Sequence, residues 1–298
     1  MDATAPTSLK TLSNLFDLKD RWAVVTGGAG LLGRQHAQAL LELGASVVLW
    51  DCNAASLKSA EDELKSQFPL QSTAQATPRT AKVYTSEVDI TERGSIDQAV
   101  AQLRTLTPAL HILINNAGLT VAKGQESFKN YFDRFESYEL ELWELALKVN
   151  LTGTFLVTQA LTPLLKASRG ASVINIASDV GVISPDHRIY QSNPERGYPG
   201  VGFNTPLSYA ASKASLIHMT KYWATLWAKE GIRVNALSPA GVANGQDPLF
   251  VRELVERIPL GRMAQPFEYK GAIAFLASDA SSFMTAANLI VDGGRTSW

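Results

Sequence analysis

The sequence predicts an α/β fold: a single doubly wound domain whose parallel seven-stranded sheet carries helices on both faces. Three observations predict it. Seven short runs are apolar and β-branched without polar alternation, as in strands covered on both sides. Longer segments of helical period stand between them, so strand and helix take turns along the chain. Crossovers in such a sheet are right-handed, which distributes the helices over both faces. With 298 residues, 46% apolar and 18% charged, there is material for a full core, which excludes a disordered chain. No internal repeat or long linker divides it, so one domain is the better count.

The elements follow in order. Residues 1–20 read as a loose N-terminal arm, and the domain proper as 21–298. Strands are expected over 22–26, 46–50, 82–88, 111–115, 172–177, 233–238 and 288–291. Helices are expected over 31–43, 54–67, 94–105, 138–149 continuing through 151–167, 207–229 and 266–278. Two segments break the rhythm. Residues 126–139 are charged and aromatic. Residues 183–206 are polar and turn-rich, with Pro185, Pro194, Pro199 and Pro206 among their turn formers, and long loops of this kind are usually functional or disordered.

Composition narrows the function. Lys and Arg number 27 against 28 Asp and Glu, so no electrostatic footprint for nucleic acid is expected. One cysteine, Cys52, and four histidines exclude a disulfide framework and a Cys-cluster zinc site, and no metal is expected. The start lacks a basic segment followed by an apolar one, and no apolar run approaches the roughly 18 residues of a membrane span. The expectation is a cytoplasmic protein with no membrane partner.

The first turn carries the strongest motif. In Thr26-Gly-Gly-Ala-Gly-Leu-Leu-Gly33, Gly28, Gly30 and Gly33 give G-x-G-x-x-G between a strand and a helix. Glycines there let backbone N–H groups approach a pyrophosphate, while the helix N-terminus supplies positive potential. Asp51, 18 positions beyond Gly33, ends the second strand. A carboxylate there accepts hydrogen bonds from ribose hydroxyls and repels a 2′-phosphate. Neither Cys52 nor Asn53 after it is basic, so NAD is favoured over NADP. Arg34 is the counterargument: it either meets a phosphate or is a solvated residue of the first helical turn. The candidate contacts here are Gly27, Gly30, Leu31, Leu32, Gly33, Asp51 and Cys52.

Tyr209 and Lys213 stand at i and i+4 on one helical face. An ammonium beside a phenol favours the phenolate, which makes Tyr209 a candidate general acid/base. The same spacing also occurs in ordinary helix turns. Ser178 ends an apolar strand, at the sheet edge where ligands bind in doubly wound folds. Asn150 is polar in an apolar helical stretch, either functional or a satisfied core amide at a kink.

Together these residues resemble the short-chain dehydrogenase/reductase family, of the classical type. The resemblance runs from about Arg21 to Gly294. It rests on the glycine loop, Asp89 in Val88-Asp-Ile-Thr91, Asn115-Asn-Ala-Gly118, Asn150, Ser178, Tyr209/Lys213, Ser238-Pro-Ala-Gly241 and Asp292-Gly-Gly294. The resemblance implies a Rossmann fold and a set of roles. Tyr209 would exchange a proton with the substrate oxygen, and Ser178 would hydrogen-bond that oxygen. Lys213 would lower the Tyr209 pKa and hold the nicotinamide ribose, and Asn150 would order a proton-relaying water. Asp89 and Ile90 would flank the adenine. Asn116, Ala117 and Gly118 would line the cofactor, and Pro239, Gly241 and Val242 would border the nicotinamide. Assembly as a homotetramer is implied as well.

Three departures stand out. Leu31 replaces a glycine of the usual classical loop, so that Gly27, Gly30 and Gly33 follow the spacing of the extended subfamily. From Ser178 to Tyr209 is 31 positions where the family has roughly a dozen; the surplus is the 183–206 loop, expected beside the substrate pocket. The usual Thr after the Pro-Gly turn is missing, which leaves Asn244 and Gln246 to meet cofactor or substrate. The loop's Arg188 and Tyr190 suit a hydroxylated or anionic substrate; the alternative for the loop is a solvated lid. The pattern is similar to bacterial members acting on sugars and sugar acids. The expected activity is therefore NAD-dependent hydride transfer at a secondary alcohol or ketone of a polar, sugar-like substrate. The alternatives are a 3-oxoacyl thioester reductase and a non-catalytic dinucleotide sensor.

Overall fold

The computed structural model describes residues 11–68, 81–119, 135–190 and 205–298. Its strands are β1 (Trp22–Thr26), β2 (Ser46–Asp51), β3 (Val83–Glu87), β4 (Ile112–Asn115), β5 (Ser172–Ile176), β6 (Arg233–Pro239) and β7 (Asn288–Val291). They form one parallel sheet in the order β3-β2-β1-β4-β5-β6-β7. The order reverses between β1 and β4, which opens a crevice at their carboxyl ends.

The helices are α1 (Leu12–Phe16), α2 (Leu31–Glu42), α3 (Ala54–Gln67), α4 (Arg93–Leu106), α5 (Leu140–Leu147), α6 (Thr154–Ala167), α7 (Leu207–Trp227), α8 (Pro248–Val255) and α9 (Lys270–Ala277). Successive strand residues feed opposite faces, as the pleat requires. Ala23 and Val25 of β1 pack with Leu40 of α2, Leu57 of α3 and Ile273 of α9. Val24, between them, packs with Ile96 of α4, Leu161 of α6 and Trp223 of α7. The two cores explain why the strands read as unbroken apolar runs.

Four expectations are corrected. The arm is anchored from residue 11: Thr11 caps α1 by accepting from the Asn14 N–H. Leu18 is fully buried, and its N–H donates to the Leu43 carbonyl. The helix expected to run through 138–167 is interrupted by a π turn over Lys148–Gly153. The helix expected over 266–278 begins as a 3-10 turn, Pro266–Tyr269. Helix α8 was not expected; Asp247 caps it, accepting from the N–H groups of Leu249 and Phe250, and Pro248 occupies its first turn.

Candidate active site

A cavity of about 860 Å³ follows the crevice from the ends of β2 and β3 across β1 and β4 to β5, β6 and α8. The glycine loop forms one wall. Gly27 has φ +58°, and a Cβ on it would stand 2.8 Å from Ala117 Cα. A Cβ on Gly33 would lie 2.2 Å from the Gly27 carbonyl oxygen. Only glycine permits either approach. Asn116 locks the loop from below, its Nδ2 donating to the carbonyls of Thr26 and Gly27 at 3.0 Å each. These residues fit a dinucleotide, since they leave the mouth of α2 open to a pyrophosphate.

Asp51 is half-buried and lines the cavity. Its carboxylate accepts from the N–H groups of Ala29 (3.2 Å) and Asn53 (3.1 Å). Cys52 lines the same end, where burial and the charges of Asp51 and Asp89 push its thiol pKa up. Arg34 is tied elsewhere: it donates to the Ala29 and Ser56 carbonyls and pairs with Glu63 at 2.5 Å. It braces α2 against α3 and does not line the cavity.

Asp89 and Ile90 lie beside this end, with Asp89 Oδ1 holding both the N–H and the hydroxyl of Thr91. Leu31, Leu32, Ala117, Gly118, Pro239, Gly241, Val242 and Asn244 also border the cavity; Gly33 supports it from beneath the loop. Gln246 is committed to its own loop, donating to the Val242 carbonyl and accepting from the Asn244 N–H, both at 2.7 Å.

Ser178, Tyr209 and Lys213 meet at the other end. Ser178 Oγ donates to Asp179 Oδ1 at 2.9 Å and lines the cavity beside Tyr209. Lys213 is buried, and its Nζ donates to the Ile176 carbonyl at 2.8 Å and stands 5.6 Å from the Tyr209 ring centre. Burial pushes Tyr209 up to about 12; the neighbouring Ser178 hydroxyl opposes that shift and the Asp179 charge adds to it. Burial lowers Lys213 to about 8. The depressed phenol expected from the i, i+4 pairing is thus not found in this arrangement, because the ammonium faces a carbonyl and desolvation dominates.

Asn150 sits in the π turn, fully buried. Its Oδ1 accepts from the Leu119 N–H at 2.7 Å and its Nδ2 donates to Ser212 Oγ at 2.9 Å. It is both a kink residue and a satisfied amide. A Cβ on Gly118 would come within 3.4 Å of Asn150 Oδ1 and 3.5 Å of Lys213 Nζ, so the glycine keeps the space between those two groups clear.

Tyr190 lines the same end as Ser178, stacked on Phe250 of α8 at 6.0 Å, with its hydroxyl 2.5 Å from Thr205 Oγ1. Arg188 does not line the cavity: its guanidinium forks Asp186 at 2.8 and 2.9 Å with 79% of the side chain exposed. Most of the 183–206 loop lies outside the described residues, as does the greater part of 126–139. Asp179, Arg295 and Phe250 also border the cavity; no motif singled them out, since the fold alone brings them together. Among the described residues no group of three or more His, Cys, Asp or Glu is placed to hold a metal ion, and no helix is long and apolar enough to cross a membrane.

Comparison with known proteins decides the family. Residues 21–192 match the family model for short chain dehydrogenase, and residues 198–296 that for enoyl-(acyl carrier protein) reductase. The chain belongs to the short-chain dehydrogenase/reductase family. It is an oxidoreductase of that family, built to bind a nicotinamide cofactor and act on alcohol groups. Among curated relatives in the family, an NAD-dependent glycerol dehydrogenase of Listeria innocua is 31% identical over 94% of this chain and 96% of its own. A 3-oxoacyl-(acyl-carrier-protein) reductase of Thermotoga maritima is 32% identical over 93% and 98%. A short chain dehydrogenase of Leptospira borgpetersenii, solved with NAD+ bound, superposes with a TM-score of 0.75 at 31% identity, covering 99% of this chain and 100% of that one. A gluconate 5-dehydrogenase of Burkholderia cenocepacia, solved with NADP and tartrate, superposes with a TM-score of 0.77 at 27% identity over 96% and 99%.

Proposed function

We propose that this chain is an NAD-dependent dehydrogenase that moves a hydride between nicotinamide and the secondary alcohol or ketone carbon of a polar, sugar-like substrate. One observation carries the reading: Ser178, Tyr209 and Lys213 converge at one end of a cavity whose other end holds a carboxylate, Asp51, with no Lys or Arg among the described residues that line that end. The dinucleotide, when bound, accepts or supplies the hydride. Gly27, Gly30 and the first turn of α2 hold its pyrophosphate, Asp51 its adenosine ribose, Asp89 and Ile90 its adenine, and Pro239, Gly241 and Val242 border its nicotinamide. Arg34, committed to Glu63 and two carbonyls, is not placed for a 2′-phosphate, which supports NAD over NADP. Tyr209 exchanges the proton of the substrate oxygen, Ser178 hydrogen-bonds that oxygen, and Lys213 with Asn150 refills the proton from solvent. The polar rim formed by Tyr190 and Asn244 suits a hydroxylated substrate. The exposed Phe155, Tyr222 and Leu226 on α6 and α7 fit assembly into a homotetramer.

The test is NAD(P) reduction against polyols, aldoses, aldonates and 3-hydroxyacyl thioesters. Turnover confined to the first three with NAD is the expected result. Turnover confined to thioesters with NADP makes the protein a 3-oxoacyl thioester reductase instead, the activity named for the Thermotoga relative.

A further inference from the structure

One pair of charges at the Ser178 end of the cavity is not accounted for by what Asp179 does to Ser178 and Tyr209. Asp179 follows Ser178 directly, and Arg295 comes from the last turn of the chain. Their side chains are only 4% and 7% exposed, they form an ion pair, and both border the cavity. A buried ion pair is rarely worth more to stability than apolar side chains of the same volume, so packing gives no reason for it.

The two partners differ in how far they are committed. Asp179 is engaged on both oxygens: Oδ1 accepts from Ser178 Oγ (2.9 Å) and from the Val180 N–H (2.8 Å), and Oδ2 accepts from Arg295 Nη1. Arg295 carries five N–H donors, and Nη1 to Asp179 is its one side-chain bond among the described residues. None of its nitrogens is among the polar atoms both sealed from solvent and without a partner, so its uncommitted donors keep some exposure in a residue that lines the cavity. Its backbone is fixed as well. The Asp292 carboxylate accepts from the N–H groups of Gly294 (2.9 Å) and Thr296 (2.7 Å), and Gly293 and Gly294 supply the positive φ of the turn.

We propose that Arg295, held by Asp179, is the specificity-determining residue of this site: its uncommitted guanidinium N–H groups bind an oxygen on the carbon next to the one that reacts. The inference rests on the reading of the cavity as a secondary-alcohol site. Ser178 and Arg295 contact the two oxygens of a single carboxylate, which sets them near enough to address oxygens on neighbouring carbons of one ligand. The charge of the pair sets the class. Asp179 cancels the guanidinium, so a substrate carboxylate meets no net attraction, while an uncharged hydroxyl or carbonyl oxygen needs only the donor. The preferred substrate is an uncharged vicinal diol or its hydroxyketone, rather than a hydroxy acid.

The experiment compares 2,3-butanediol, 2-butanol and lactate as reductants of NAD. The first two differ in one hydroxyl, and lactate places a carboxylate in its position. The proteins are the wild type, Arg295→Lys and the double variant Asp179→Asn/Arg295→Gln, whose paired amides keep the contact without charge so that folding is preserved. The wild type is expected to favour the diol over 2-butanol by roughly 10- to 100-fold in kcat/KM, the scale of a hydrogen bond from a charged donor, and to use lactate least. The double variant is expected to bring that ratio near one, with Arg295→Lys between, while NAD affinity by fluorescence titration stays unchanged. Equal use of diol and mono-alcohol by the wild type, a ratio preserved in the double variant, or preference for lactate each overturns the proposal. If neither alcohol turns over, quenching of bound NADH by the diol is compared in wild type and double variant, and equal affinity overturns it. Failure of the underlying reading looks different: NAD does not bind, or no secondary alcohol of any kind reduces it.

Discussion

At the scale of single residues, the site is governed by desolvation. Tyr209 is held at about 12 and Lys213 at about 8 by burial. Alcohol oxidation needs the phenol without its proton, and below its pKa the deprotonated fraction grows about tenfold per pH unit. Oxidation is therefore expected to accelerate from pH 7 to pH 10 and the reverse reduction to slow, read from initial rates in both directions. Tyr209→Phe keeps the ring and removes the proton; it is expected to abolish turnover while NAD still binds by fluorescence titration. His36 offers a separate test of burial. It is fully buried on α2 with neither ring nitrogen partnered among the described residues, and desolvation lowers it from 6.5 to about 3. The unfolded chain binds the extra proton between those values, so this contribution is intact above pH 6.5 and lost as pH falls. Between pH 7 and pH 5 the loss is about 2 kcal/mol. Urea titrations at the two pH values are expected to show that drop in the wild type. They should show it much reduced in His36→Leu.

At the scale of elements, the proposed catalytic edge stands on a buried amide ladder. Asn115 of β4 donates to Thr158 of α6 (3.0 Å) and to Asn175 Oδ1 of β5 (2.8 Å), and Asn175 Nδ2 donates to Thr220 of α7 (2.8 Å). These bonds tie two strands to the two helices that carry Tyr209, Lys213 and the run into Asn150. Asn175→Ala removes two of them and strands an Asn115 proton in the core. It is expected to destabilise the protein by about 2–3 kcal/mol in urea titration, whereas an exposed substitution such as Lys58→Ala should change little. The ladder also marks where the sequence stops being legible. The strands could be read because each is apolar on both faces, and the glycine loop, Asp51, Ser178 and Tyr209 could be placed because a turn or strand end fixes them locally. The direction of Lys213 Nζ toward the Ile176 carbonyl and the turn of Arg188 onto Asp186 are set by tertiary neighbours, and spacing does not report those. Helix α8 went unread because its eight residues are few for a periodic signal, although its cap, Asp247 before Pro248, was there to be seen. Arg295 and Asp179 meet across 116 positions, a contact that only the closed sheet creates.

At the scale of the whole molecule, the long helix α7 divides its large side chains between two destinations. Leu216, Trp223 and Trp227 are buried against the sheet, while Tyr222 and Leu226 stay 63% and 55% exposed. On α6, Leu161 and Val157 are buried while Phe155 remains 44% exposed. Large apolar groups left on the outer faces of two helices indicate a surface that gains by being covered, and a twofold axis can cover it by setting the same patch against itself. The proposed homotetramer follows if a second patch closes the assembly. Phe283, Ile290 of the edge strand β7 and Trp298 are also exposed and are the candidates for it. Light scattering on the eluted protein is expected to give about four times the 32.2 kDa chain mass. Tyr222→Glu with Leu226→Glu places two charges in the first interface and should yield dimers held by the second. A wild type that elutes as a monomer at micromolar concentration would remove the proposal. Tetramers that survive the double substitution would move the interface away from α7.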